Sequence, residues 1–264
     1  MISKRDQFIK YCLEKKENND LCIDKTKIPP EKKLPYEACM VEFSRKLPHI
    51  EYLLMNAIDK LPNDMFCFSI ACTNENFSYM KEMIKNIDFP ITIHCLPEFI
   101  QIRNVNQYNE LLYTPFFWNL FSIREKVLIM QEDTFIFKKN MNDFYRFDYI
   151  GAPWAYSIVR QHDVRVGNGG FSFRSLKLVQ EALERKDEIM NILKTICKRF
   201  YCSTKLSSIP EDVFFSFSTK YLSNYELANV EKAKQFSTEN VVCKDSMAGH
   251  QFWNQDREWK KRLL

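Results

Sequence analysis

The stretch Val127-Leu128-Ile129-Met130-Gln131-Glu132-Asp133 joins four consecutive apolar residues to three polar ones. A short apolar run bounded by polar residues predicts a strand that is buried on both faces, as parallel strands of α/β sheets are. Ligands of open α/β sheets bind beyond the carboxyl ends of the strands, so the acids after this strand are placed for chemistry rather than for packing. The stretch therefore predicts the fold class and the edge of the sheet where a site would lie.

The segments before this strand alternate between strand and helix patterns. Strands are predicted at 36–43, 65–72 and 91–96, and helices at 47–61, 75–87 and 106–121, with Pro115 expected to kink or split the last helix. This alternation indicates βαβ units and a mostly parallel, Rossmann-like central sheet flanked by helices. The second half is less regular, with short strands at 144–150 and 170–174 and helices at 176–200 and 213–222.

Composition excludes several classes of protein. The chain has 264 residues, a formal net charge of +4 and no basic patch interleaved with aromatic residues, so nucleic acid is not expected as a partner. Its nine cysteines include no CxxC pair, which disfavours a zinc site or a disulfide framework and favours reducing, cytoplasmic surroundings. No stretch approaches the roughly 20 apolar residues that span a bilayer, so a soluble protein without a membrane span is expected.

Glycine is scarce, and its distribution points to the second half of the chain. All five glycines follow residue 150, and Gly169 and Gly170 are adjacent. Such glycines are expected where the backbone needs a positive φ or comes close to a ligand, although ordinary turns are the alternative. There is no GxGxxG after the first strand and no P-loop, so a bound diphosphate would need another partner, for which a metal on strand-end carboxylates is suitable.

Several motifs, taken together and in order, resemble a glycosyltransferase family of large DNA viruses and microbes, the domain of unknown function 5672. They are Gln131-Glu132-Asp133, Tyr149-Ile150-Gly151-Ala152-Pro153-Trp154, Gly167-Asn168-Gly169-Gly170-Phe171-Ser172-Phe173-Arg174, Glu211-Asp212-Val213-Phe214-Phe215-Ser216, Phe236-Ser237-Thr238-Glu239 and Gly249-His250. The resemblance covers about residues 34–255 and implies a GT-A fold. The resemblance also implies one domain at 34–264, divided into a nucleotide-binding half (34–135) and an acceptor-side half (136–264). Before it, helical spacing at 2–17 and a charged, proline-containing stretch at 18–33 predict an N-terminal helix and linker at 1–33.

The resemblance implies a divalent cation, Mn or Mg, at Asp133. GT-A enzymes usually carry Asp-x-Asp at this strand end, whereas this chain has Gln131-Glu132-Asp133, so one acid is replaced by an amide. Alternation along the strand would place Gln131 and Asp133 on one side and Glu132 on the other. His250 is the second expected metal ligand. The alternatives are a solvated acid at a loop start and an ordinary packed histidine; His49 and His94 fit helix and strand patterns and need no special role.

The same resemblance implies that Asp212 is the general base, with Glu211 as the alternative base or as an acceptor-orienting residue. Proline followed by two acids also suits a helix N-terminus, so capping alone would explain both residues.

Donor contacts are implied for Gln131, Glu132 and Asp133, with Gln131 or a water filling out the ligand shell of the metal, and for a further set of residues. The backbone amides of Gly167-Asn168-Gly169-Gly170 are expected near the donor sugar or its phosphates, and the Asn168 side chain near sugar hydroxyls. Trp154 would pack on a sugar ring or belong to the core, and Arg45 would contact the nucleotide or lie at the surface. A loop at 157–166, which contains His162, would close over the donor or be a surface insertion.

The expected function is transfer of a sugar from a nucleotide-sugar donor, with a UDP-sugar favoured, to a glycan or protein acceptor. The expected reaction is metal-assisted and inverting, in the cytoplasm (the host cytoplasm or virus factory for a viral protein). One alternative is a GT-A-fold protein that binds carbohydrate or nucleotide without catalysis, which the amide at Gln131 motivates. The other is a nucleotidyltransferase, which would need a basic phosphate-binding loop near the first strand.

Overall fold

The computed structural model describes residues 2–18, 21, 34–157, 159, 163–196 and 209–263. The strands are β1 (Tyr36–Val41), β2 (Phe66–Cys72), β3 (Ile91–Cys95), β4 (Lys126–Met130), β5 (Thr134–Ile136), β6 (Tyr149–Gly151), β7 (Phe171–Ser175), β8 (Ser237–Thr238) and β9 (Ala248–His250). The helices are α1 (Lys4–Glu17), α2 (Ile50–Lys60), α3 (Asn74–Met83), α4 (Val105–Leu112), α5 (Pro115–Asn119), α6 (Leu176–Glu184), α7 (Lys186–Ile196), α8 (Glu211–Tyr221) and α9 (Val230–Phe236).

Six strands form the central sheet in the order β3-β2-β1-β4-β7-β6. Strands β1 to β4 are parallel, and β7 runs antiparallel to both β4 and β6. The prediction of an α/β protein with a mostly parallel central sheet flanked by helices is therefore confirmed. The order also shows where the chain reverses direction: it moves outward from β1 through β2 to β3 and then returns to the other side of β1 as β4.

The central strands are buried on both faces, as their apolar sequences predict. In β4, Leu128 and Met130 pack in the core on one face with α1 and α2, whereas Val127 and Ile129 pack in the core on the other face with α4 to α8. This alternation follows from the two-residue period of a strand. Both cores exclude water from the strands, so the polar residues after Met130 emerge directly from a rigid support.

A second, smaller sheet was not predicted. It consists of β5, β9 and β8, in which β9 runs antiparallel to β5 and parallel to β8. Thr134 pairs with His250 in this sheet, so it brings the segment after β4 next to the C-terminal part of the chain.

Two of the predicted helices are each divided into two in the structure. The helix predicted at 106–121 is split into α4 and α5 with Pro115 at the first turn of α5, as expected. The helix predicted at 176–200 is wrong over its described part, because it is interrupted at Arg185, where α6 ends and α7 begins; residues 197–200 lie outside the described residues. Within the described part of the chain, no helix combines the length and apolar character that a bilayer crossing requires.

Candidate functional site

A cleft of about 470 Å³ lies beyond the carboxyl ends of β1 and β4. These two strands are where the strand order reverses, which is the position at which open α/β sheets bind their ligands. The volume is within the range of small-molecule sites. Its lining includes Phe43, Arg45, Arg103, Tyr108, Gln131 and Asp133. The topology therefore leads to the same edge that the acids after β4 indicate.

The residues after β4 form a turn rather than an extension of the strand. The backbone N–H and the hydroxyl of Thr134 both donate to the carbonyl of Gln131, at 3.1 and 2.7 Å. The alternation that would place Gln131 and Asp133 on one side therefore ends at Met130, and that prediction does not apply. Glu132 instead points to the α2 side, where His49 lies, and Asp133 points to β9.

Asp133 is buried, with 9% of its surface exposed, and it contacts His250. Its Oδ1 lies 3.2 Å from His250 Nε2, and its Oδ2 accepts a hydrogen bond from Gln251 Nε2 at 2.8 Å. Burial raises the pKa of Asp133, but the charge of His250 and the hydrogen bonds outweigh this and hold the pKa at about 2. The predicted pair of Asp133 and His250 is thus brought together by the small sheet.

Glu239 completes this group from the other side of the imidazole ring. Its Oε1 lies 3.5 Å from His250 Nδ1. Burial lowers the pKa of His250, but the charges and hydrogen bonds of Asp133 and Glu239 raise it to about 10. A carboxylate on the second ring nitrogen is the usual way to fix the orientation of a metal-binding histidine. Glu239 ends the motif Phe236-Ser237-Thr238-Glu239, and the structure adds its contact with His250, which the sequence did not predict.

Two side chains of this group, Asp133 and His250, are of the types that could hold a divalent cation. Asp133 Oδ1 and His250 Nε2 lie 3.2 Å apart as an ion pair, and His250 would have to release its Nε2 proton to ligate a metal, because a ligating histidine is neutral. Among the described residues no three His, Cys, Asp or Glu side chains cluster as a metal site. An ion here would take its remaining ligands from water or from a bound diphosphate, as Mg²⁺ commonly does.

Two consecutive glycines bring the acids of α8 and His250 to the same place. A Cβ on Gly169 would overlap Glu211 and contact Asp212, and a Cβ on Gly170 would overlap the His250 ring. Neither residue has a positive φ, so close approach rather than backbone conformation requires glycine at these positions. The sequence predicted a positive φ or a close approach to a ligand, whereas the close contacts seen in the structure are with the side chains of Glu211, Asp212 and His250.

The backbone amides of 167–170, predicted to lie near the donor, all make hydrogen bonds within the protein. The N–H groups of Gly167 and Asn168 donate to Ala152, that of Gly169 donates to Asp212 Oδ2 at 3.2 Å, and that of Gly170 donates to the Asn168 side chain at 3.0 Å. All four amides are therefore engaged within the protein. The Asn168 side-chain oxygen is likewise used in its own turn.

Asp212 and Glu211 have different surroundings although they are adjacent. Asp212 is partly exposed, and its oxygens accept hydrogen bonds from the backbone N–H groups of Gly169 and Val213. Burial and the charge of Glu211 raise the pKa of Asp212 to about 7. Glu211 is fully buried, and both of its oxygens contact the guanidinium of Arg174. This geometry favours Asp212 over Glu211 as a proton acceptor.

Arg45 lies at the cleft, where two acids hold its guanidinium. It pairs with Glu42, and its Nη1 donates to Glu132 Oε1 at 3.1 Å. Asn76 supports the same loop by donating to the carbonyls of Glu42 and Arg45 at 2.8 and 3.1 Å. Half of the Arg45 side chain remains exposed, so the group can reach a ligand in the cleft.

Trp154 is buried, and its ring lies against Gly167. Of the two predicted roles for Trp154, the structure favours the one in the core. The contact with Gly167 nevertheless keeps the ring close to the site. His162 lies outside the described residues, as do residues 158, 160 and 161 of the loop predicted around it.

Several residues at this site were given no role by the sequence. They are Arg5 on α1, His49 before α2, Arg103 and Tyr108 at the cleft, Glu239 after β8 and Gln251 after β9. Tyr108 is notable because its hydroxyl is buried beside the Gln131 side chain, and burial raises its pKa. Only the motif that ends in Glu239 offered a sequence signal for any of them.

Comparison with known proteins finds one family. The family model described as "Protein of unknown function (DUF5672)" matches residues 90–251. The matched region contains Asp133, the glycine loop, Asp212, Glu239 and His250, whereas Arg5, Arg45 and His49 precede it. No curated protein matches the chain.

Proposed function

Because the chain belongs to the DUF5672 family, which is described as having unknown function, we propose a function from its site: a glycosyltransferase of GT-A type that uses a nucleotide-sugar donor. The observation that carries the proposal is that Gly169 and Gly170 place Asp212 and His250 at one edge of the sheet, beside the cleft at the strand-order reversal. This combines a carboxylate suited to accept a proton with a pair of side chains suited to hold a cation.

The cleft would bind the nucleoside diphosphate. Arg45 and Arg103 supply positive charge at its lining, and Phe43 and Tyr108 supply apolar surface for a base or ribose. A divalent ion held by Asp133 and His250 would offset the negative charge that develops on the departing diphosphate. Glu239 would keep the His250 ring oriented toward Asp133.

Asp212 would act as the general base of an inverting transfer. The acceptor hydroxyl oxygen forms a bond to the anomeric carbon while the bond from that carbon to the diphosphate oxygen breaks, and the hydroxyl proton passes to Asp212. A carboxylate with a pKa of about 7 is well suited to this step, because it is ionised near neutral pH and still basic enough to take the proton. Glu211, held by Arg174, would position Asp212 rather than react.

Calorimetry on the full chain tests the proposal. Uridine, guanosine and cytidine diphosphates are titrated with and without MnCl₂, and release of nucleoside diphosphate from the matching sugar nucleotides is then measured. We expect one nucleotide to bind with an affinity that rises at least tenfold with Mn²⁺, and Asp133→Asn to remove that rise. Absence of metal-coupled binding to any of these nucleotides would overturn the proposal.

A binding protein without catalysis is the second candidate, because Gln131 stands where GT-A enzymes usually have an acid. It would show metal-coupled nucleotide binding without donor turnover, and Asp212→Asn would leave its behaviour unchanged. A nucleotidyltransferase is less well supported, since the loop after β1 offers Arg45 alone as a basic side chain at the cleft lining.

A further inference from the structure

Helix α1 packs against the segment that follows His250. Phe8 is fully buried and stacks on Trp253, with ring centroids 4.6 Å apart and an angle of 30° between the planes. Lys4 Nζ donates to the carbonyl of Trp253 at 2.7 Å. Helix α1 is therefore joined to Trp253 by both apolar and polar contacts. Trp253 lies three residues after His250, a candidate metal ligand.

The same helix contacts the turn that carries Asp133. Arg5 Nη2 donates to Glu132 Oε1 at 2.7 Å, and Glu132 immediately precedes Asp133. Glu132 has only 4% of its surface exposed, and its other partners are Arg45 at 3.1 Å and His49 at 2.9 Å. Arg5 and Arg45 thus share one oxygen of a buried carboxylate.

The two segments that α1 contacts are also joined to each other. The backbone N–H of Gln251 donates to the carbonyl of Asp133 at 2.9 Å, and its side chain donates to Asp133 Oδ2 at 2.8 Å. Gln251 has a φ of 44°, an uncommon conformation for a residue with a side chain. Contacts from α1 on both sides help to maintain this arrangement, because they restrict the turns that supply Asp133 and His250.

Electrostatics give Arg5 a more specific role. The cleft lining includes three carboxylates, Glu42, Glu132 and Asp133, and the first two form ion pairs with Arg45. A buried carboxylate must keep a cationic partner, so without Arg5 the Glu132 side chain would depend on the charge of Arg45. A phosphate entering the cleft would then compete with Glu132 for Arg45. With Arg5 present, Glu132 keeps a cation when Arg45 turns toward the phosphate.

We propose that α1 is a component of the donor site, in which Arg5 is a positioning residue that neutralises Glu132 and leaves Arg45 available to an anionic donor. The inference rests on the proposed function and extends it to a helix outside the region that the family model matches. It assigns α1 a role in nucleotide affinity in addition to its packing.

The test compares four full-length proteins: wild type, Arg5→Met, Arg5→Lys and Lys10→Ala. Methionine keeps an apolar stem at position 5 but removes the charge, and lysine restores the charge. Lys10 is the matched control, because it is a cation on the same helix with 72% of its side chain exposed and a partner, Glu14, on α1 itself. Binding of uridine diphosphate with MnCl₂ is measured by calorimetry, and ligand-free unfolding is measured in urea.

We expect Arg5→Met to weaken uridine diphosphate binding about tenfold, which is the change for roughly 1.4 kcal/mol. Arg5→Lys should recover most of the affinity, Lys10→Ala should bind as wild type does, and the ligand-free urea midpoints of all four proteins should be similar. Wild-type affinity in Arg5→Met would overturn the inference and leave the proposed function standing. An affinity loss that follows a loss of ligand-free stability, without rescue by lysine, would also overturn it. If the wild type binds none of the nucleoside diphosphates, the proposed function fails and the inference fails with it.

Discussion

The guanidinium of Arg174 and the carboxylate of Glu211 form an ion pair that is closed to solvent. Arg174 has 0% of its surface exposed, and its Nη2 donates to Glu211 Oε1 at 3.0 Å. The guanidinium also lies over the rings of Trp118, Tyr149 and Phe215, at 5.2 to 5.5 Å from their centroids. Because Arg174 is on β7 and Glu211 begins α8, the pair fixes the start of α8, and with it Asp212, to the central sheet.

Removing one partner of this pair should be strongly destabilising. Arg174→Met or Glu211→Leu leaves an uncompensated buried charge, which typically costs about 3–5 kcal/mol. The double variant Arg174→Met/Glu211→Leu should recover much of that loss, because neither charge remains. Urea unfolding at pH 7.5 measures the effect. The exposed pair Arg185–Glu188 is the matched control, and Arg185→Met should leave the urea midpoint almost unchanged. Additive effects of the two buried substitutions would contradict this account.

Gly170→Ala should act through His250. The new Cβ would overlap the imidazole ring, while the backbone at Gly170 suits any residue. The ring must move away from Asp133, so we expect Mn²⁺-coupled nucleotide binding to fall at least tenfold. If His250 is the target, Gly170→Ala/His250→Ala should bind nucleotide no more weakly than His250→Ala alone. A double variant that is weaker by the product of the single effects would show that Gly170 acts independently of His250.

Much of the fold could be predicted from local sequence patterns. The strands β1 to β4 are apolar runs buried on both faces, and the helices between them have clear periodicity, so their type and order follow from the sequence. Strands β8 and β9 could not be predicted in this way, since two or three residues are too few to show a period. The break at Arg185 was missed because the apolar pattern continues through it.

The site was less predictable because its contacts join distant parts of the chain. Asp133 and His250 were paired through a family resemblance, and the pairing of β5 with β9 provides the physical reason for their contact. No local pattern indicates that Arg5 reaches Glu132 or that Glu239 reaches His250. The sequence drew attention to residues 167–170, but their hydrogen bonds to Ala152, Asn168 and Asp212 depend on the folded arrangement.

Glu239→Gln should weaken metal binding without changing the ligands themselves. Glutamine keeps the size of the side chain but removes the charge that holds the His250 ring by its Nδ1. Changes of this kind typically cost 10–100-fold in metal affinity. Direct Mn²⁺ titration followed by electron paramagnetic resonance measures the loss. Glu231→Gln is the matched control, because Glu231 is exposed and pairs with Lys234 on α9. Equal Mn²⁺ affinity in Glu239→Gln and Glu231→Gln would show that Glu239 does not support metal binding.

Asp212→Asn should stabilise the protein at alkaline pH. Because the pKa of Asp212 is raised to about 7, the folded protein holds a proton that the unfolded chain releases near pH 4, so stability falls as the pH rises between these values. Asparagine removes this penalty. We expect the variant to gain about 1–2 kcal/mol at pH 8, after a discount for the partial exposure of the side chain, and the gain to shrink as the pH falls toward 4. Urea unfolding at pH 5 and pH 8 measures it.

The same substitution should abolish most of the transfer activity, which separates a general base from a helix-capping acid. A positioned base contributes typically 10²–10⁴-fold, so donor turnover by Asp212→Asn should fall by about that factor while nucleotide binding is kept. In the wild type, kcat/KM should rise with pH up to about 7 and then level off, because Asp212 must be ionised to accept the acceptor proton. Asp187, an exposed acid in the first turn of α7, is the matched control for capping. If Asp187→Asn and Asp212→Asn have the same small effect on turnover, Asp212 is a helix-capping residue and another residue must act as the base.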